Sequence, residues 1–152
     1  MTINKAFEII EDNYEEADFI GEIKEENIIA AENKLQVTLP KSYRLFLQKY
    51  GAGDIFGEEI FGLGIEESGI PNMVWITEQL REEAQLPKQL ICFYFTGYDG
   101  EYLCLDCSNI KRIKDDHAKV VSFFSGLALE EQQFEIIADT FADFLLNLLT
   151  DS

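Results

Sequence analysis

The chain has 152 residues, 47% of them hydrophobic, enough to bury one core, and its 29 acidic against 12 basic residues leave a formal charge of −17. Such a field repels phosphate backbones and anionic lipid, so direct binding to nucleic acid or to a membrane surface is not expected. The excess acid serves either to keep the surface soluble or to meet a basic partner.

No linker or low-complexity stretch divides the chain, and one domain over residues 1–152 is expected. The opening MTINKAFEIIEDNYEEAD lacks the basic start and apolar run of a secretory signal, and no segment approaches the roughly twenty apolar residues of a membrane span. A cytoplasmic location follows as the expectation. Three cysteines do not make a disulfide framework and suit a reducing compartment.

In chain order, Ile3, Phe7, Ile10 and Tyr14 recur at helical spacing, as do Ile28, Ala31 and Leu35, with acids between them. Pro40 suits the first turn of a third helix whose stripe is Tyr43, Phe46, Leu47 and Tyr50, capped by Gly51. Residues 58–63 read as a short strand and 72–84 as a helix ended by Leu86-Pro87. The runs QLICFYF (89–95), EYLCLD (101–106) and AKVVSFF (118–124) read as strands, the first two joined by the turn TGYDG. From Gln132 to Leu149, Phe134, Ile137, Ala138, Phe141, Leu145 and Leu148 mark a long closing helix. The fold class is therefore α+β, with a central antiparallel sheet packed by the N-terminal helices and a long C-terminal helix.

Three motifs invite chemistry. Gly51-x-Gly53-x-x-x-Gly57 follows a helix and precedes a strand, the reverse of a dinucleotide site, and no P-loop lysine follows; turn geometry explains it better. Cys104-x-x-Cys107, with Cys92 and His117, supplies four possible zinc ligands, but Cys104 lies inside a strand and no second close-spaced pair exists. The same pair ends a strand where a redox motif opens a helix. The single histidine, His117, sits in the charged loop KDDHAK, and no carboxylate dyad stands out, so neither enzyme activity, metal nor cofactor is expected.

Trp75 is more informative. On a helix over 72–84 its face neighbours Glu78, Gln79 and Glu82 are polar, while the core stripe runs through Val74 and Thr77. Either it is an interaction hot spot, or the preceding loop folds over it.

The helix ENIIAAENKLQVTLP leading into LPKSYRLFLQKYGAG, then LPKQLICFYF, GEYLCLD, VVSFF and IADTFADFLLNLL, resembles the SUKH superfamily of Smi/Knr-type domains over nearly the whole chain. The Leu39-Pro40-x-x-Tyr43-x-x-Phe46-Leu47 run followed by Gly51 carries the resemblance most specifically. It implies an α+β domain without catalytic residues. Bacterial members resemble immunity proteins that neutralise the toxin domains, often nucleases, of secreted polymorphic toxins; fungal relatives resemble signalling scaffolds. The expected partner is thus a basic cognate toxin domain, with a non-catalytic scaffold as the alternative. Because loops vary without disturbing a core, the expected contacts are Glu58, Glu59, Glu66 and Glu67 between Gly57 and Gly69, with Asp99 and Glu101 at the hairpin and Trp75.

Overall fold

Ile3, Ala6 and Ile10 are buried along one side of α1 (Thr2–Asp12), and the stripe stops there. Tyr14 lies beyond it, exposed in a 3-10 turn over Tyr14–Glu16. The computed structural model describes residues 2–64 and 72–151. After the short strand β1 (Ala17–Phe19), α2 (Glu25–Leu35) buries Ile28, Ala31 and Leu35 and stops at Gln36, which takes a left-handed conformation.

In α3 (Lys41–Tyr50) all four expected stripe residues are buried. The Tyr43 hydroxyl donates to the Phe61 carbonyl at 2.7 Å, which satisfies a polar group that burial would otherwise penalise. Pro40 is the N-cap and not a first-turn residue, and a proline has no side-chain acceptor to offer. The missing cap comes from elsewhere: Asp116 Oδ1 accepts from the Ser42 amide and hydroxyl, each at 2.8 Å. Arg44, also buried on α3, is held between Glu25 and Glu32 of α2, a pairing that offsets the cost of removing its charge from water. Gly51 ends the helix at φ +76 with its amide shared between the Phe46 and Leu47 carbonyls.

Two antiparallel sheets follow. The smaller joins β1 to the hairpin β2 (Gly53–Ile55) and β3 (Glu58–Ile60), in the order β1-β2-β3. Gly53 cannot be replaced in it, because a Cβ there would stand 2.1 Å from the Asp18 carbonyl of the paired strand. Beyond α4 (Met73–Ala84), capped by the Asn72 side chain, the larger sheet runs β4 (Leu90–Phe95), β5 (Glu101–Asp106), β6 (Val120–Phe124), β7 (Ile136–Ala138) in sequence order. β4 is buried along nearly its whole length. Its bulge at Phe93 sends that ring into a cluster with Tyr43, Phe141 and Phe144.

The closing helix differs from the sequence reading. α5 spans only Phe141–Thr150, with Thr140 Oγ1 accepting from the Asp143 amide at 3.0 Å. The stretch ahead of it belongs to the sheet. Gln132 stands in for a strand partner, its side chain accepting from the Phe124 amide at 3.0 Å and donating to the Phe124 carbonyl at 2.6 Å. Phe134 sits at φ +47, which breaks any helix through it. The apolar spacing of 134, 137 and 138 fits a helix, but the backbone of Glu135, Ile136 and Ala138 pairs with β6 instead. The α+β class, with N-terminal helices and a C-terminal helix against antiparallel sheet, stands. α1 packs along α5 in the largest helix–helix contact, so the first and last helices close the structure together.

Candidate interaction surface

The small sheet is amphipathic by register. Phe19, Gly53 and Ile60 align across the three strands on one face, as do Ala17 and Ile55. The row between them is Asp18 opposite Asp54 opposite Glu59. Directly opposed like charges destabilise a sheet, since paired side chains on one face approach closely. Glu59 registers the cost: desolvation, and then the charge of Asp54, raise its carboxyl above the ordinary value. Among the described residues no lysine or arginine ion pair reaches this row.

Strand alternation separates the two glutamates that the sequence places side by side. Glu59 points outward with Asp54. Glu58 turns the other way and is half-buried, its Oε1 accepting from the Tyr94 hydroxyl at 2.7 Å. That phenol is pushed up by burial and by the bond to Glu58. The carboxylate is therefore fixed in place.

The turn between them is Phe56–Gly57, both at positive φ, as a type I′ hairpin requires. Asparagine, aspartate or glycine normally fills the first position, yet here a phenylalanine stands at φ +55 with 42% of its surface exposed. Beside it two adjoining hollows, of about 220 and about 330 Å³, share Glu58, Leu148 and Asp151 as walls. Phe56 and Leu149 line one of them, and Ile137, Ala138 and Phe144 the other.

The remaining expected contacts lie elsewhere. Asp99 is exposed at the tip of the β4–β5 hairpin at φ +54. Glu101 is half-buried and accepts from the Ser122 hydroxyl at 2.6 Å, so it also ties β5 to β6. Trp75 is half-buried against the core and lines a hollow of about 450 Å³ with Tyr102, Leu80 and Glu83. Glu66 and Glu67 lie outside the described residues, as does most of the loop ahead of Trp75. Asp18, Asp54 and Phe56 were not apparent from the sequence. Only the register aligns the two aspartates with Glu59; the sole local hint was a two-residue turn in GDIFGEE.

The cysteine motif forms no joint site. Cys104 faces Cys92 across β4 and β5, while Cys107 opens a separate 3-10 turn. All three are buried, and burial pushes the Cys104 and Cys107 thiols up. His117 is exposed. Among the described residues no group of three or more His, Cys, Asp and Glu side chains is placed to hold a metal ion. Nor is any helix among them long and apolar enough to cross a membrane.

These features define an α+β fold with an acidic row across its smaller sheet. A family model described as SMI1-KNR4 cell-wall, SUKH_6, matches residues 25–145, most of the chain. The chain belongs to the SUKH superfamily.

Proposed function

We propose that this protein is a non-catalytic immunity protein, a single cytoplasmic domain that binds a basic toxin domain and masks the surface with which that toxin engages its substrate. The observation that carries the reading is the Asp18–Asp54–Glu59 row, a like-charge alignment that disfavours the small sheet and has no ion-pair partner among the described residues. A cost of this kind is retained where it serves binding. A basic nuclease surface evolved for phosphates would find in this row a competing anion, and the net charge of −17 would steer the two together. Direct contact with nucleic acid or membrane forms no part of this reading.

The test is to search the genes beside this one for a toxin domain and to co-express the two. Wild type should restore growth and co-purify with the toxin, whereas Asp54→Lys with Glu59→Lys should fold and fail to protect. Protection that survives the double reversal would refute the role of the row. A second reading, a scaffold for a non-toxic partner, has on its side the family's description, which refers to the cell wall. A neighbouring partner that binds but has no toxicity would favour it.

A further inference from the structure

The groove beside the β2–β3 hairpin combines an apolar floor with two carboxylate walls. Its floor is apolar, with Ile137, Phe144 and Leu148, and its two charged walls are Glu58 and Asp151. No lysine, arginine or histidine lines either hollow. Phe56 rises at one end, held in a conformation unfavourable to a bulky side chain and still partly exposed to water. At the other side an edge bulge in β7, where Val120 and Val121 pair with Ala138 and Ile136, leaves Ile137 as the extra residue. Both isoleucines consequently stand exposed, Ile136 at 55% and Ile137 at 41%. Strained turn and bulged edge independently present apolar side chains around one carboxylate-walled groove.

We propose that this groove anchors a segment of the partner protein in which a lysine or arginine stands next to an aliphatic or aromatic residue. The inference rests on the reading that the partner is a basic protein. The apolar residue packs between Phe56 and Leu148. The aliphatic stem of the cation lies along the floor, and its head reaches Glu58, already oriented by Tyr94, and Asp151. A second copy of the chain is the less suitable occupant, because it would bring another −17 of charge to a groove walled by carboxylates. The acidic row then governs approach, and the groove governs residence.

The experiment titrates isotope-labelled protein with a capped hexapeptide of alternating lysine and leucine, followed by amide chemical shifts, with an alternating lysine–glycine hexapeptide as the charge-matched control. Shifts should centre on Phe56, Gly57, Ile137 and Leu148, and the control should bind about tenfold more weakly. Phe56→Asn, which suits the turn while removing the ring, and Asp151→Asn should each weaken the lysine–leucine peptide about fivefold or more with unchanged circular dichroism. Equal affinity for the two peptides, or shifts centred on Asp18, Asp54 and Glu59, would overturn the groove in favour of diffuse charge attraction. Concentration-dependent dimerisation abolished by Phe56→Asn would overturn it in favour of a second copy. The two readings also fail separately. Failure to protect against the toxin, with peptide binding intact, removes the toxin and leaves the groove; full protection by Phe56→Asn and Asp151→Asn removes the groove and leaves the toxin.

Discussion

Replacing Asp54 by asparagine removes the central charge of the acidic row while keeping the side chain's shape. Asp54 opposes Asp18 on one side and Glu59 on the other, so two like-charge contacts disappear at once. Cross-strand pairs are worth about 0.2–1 kcal/mol each. Because Asp18 and Glu59 are exposed and solvent screens them, the lower part of that range applies, giving a gain of about 0.5–1 kcal/mol for the two together. For a chain of this length that corresponds to a rise in melting temperature of about 1–4 °C. The pH dependence follows from Glu59, whose folded carboxyl is raised by desolvation and by Asp54. The native state holds that proton to higher pH than the unfolded chain, so stability declines as pH rises from the ordinary carboxylate value through the raised one. Asp54→Asn should flatten this decline without abolishing it, since the desolvation part remains. Thermal unfolding of both proteins across acid to neutral pH, at low salt and at about 1 M, where the Debye length is about 3 Å, checks the effect. A destabilised variant, or a gain that salt does not diminish, would refute the electrostatic account of the row.

Three further expectations bear on the frame that holds the surface. Phe46, fully buried among Phe19, Tyr43, Tyr50 and Phe141, should cost about 3–5 kcal/mol on truncation to alanine in denaturant titrations; an unchanged midpoint would show it is not core. Asp116→Ala, which strips α3 of its borrowed cap at Ser42, should cost about 1–2 kcal/mol, with Asp116→Asn recovering part of it, and equal losses for the two variants would count against the cap. The buried Cys104 and Cys107 thiols, pushed up by burial, should resist a thiol reagent in mildly alkaline buffer until denaturant is added; prompt stoichiometric labelling of the native protein would contradict their burial.

The helices α2, α3 and α4 and the β4–β5 hairpin were legible because each carries its own signal: an apolar stripe, a glycine or proline stop, a turn pentapeptide. Of the small sheet only β3 was, inside the strand expected over 58–63. Its partners ADF and GDI are three residues each, too short for any period, and β1 finds β2 only across two intervening helices. β7 was misread because its apolar residues satisfy a helical spacing as well as a strand edge, and only the Gln132 bonds to Phe124 and the turn at Phe134 decide between them. The expected site suffered likewise. Composition drew attention to the acid around Glu58 and Glu59, but neighbours in sequence become opposite faces in a strand. The acidic row and the groove both depend on register, which pairs residues that composition cannot connect. Trp75 remained ambiguous from sequence because polar helix neighbours say nothing of the sheet beneath; the structure half-buries it against the core.

The pairing of α1 with α5 gives the fold a seam between segments far apart in sequence. Ile3 and Ile10 lie on a helix whose partner runs to Thr150, so the apolar stripe of α1 gains that cover only once α5 is in place. A chain cut ahead of α5 would leave the stripe open to water and would carry the acidic hairpin without Leu148 and Asp151, which complete the groove beside it. One late contact thus finishes both the core and the groove.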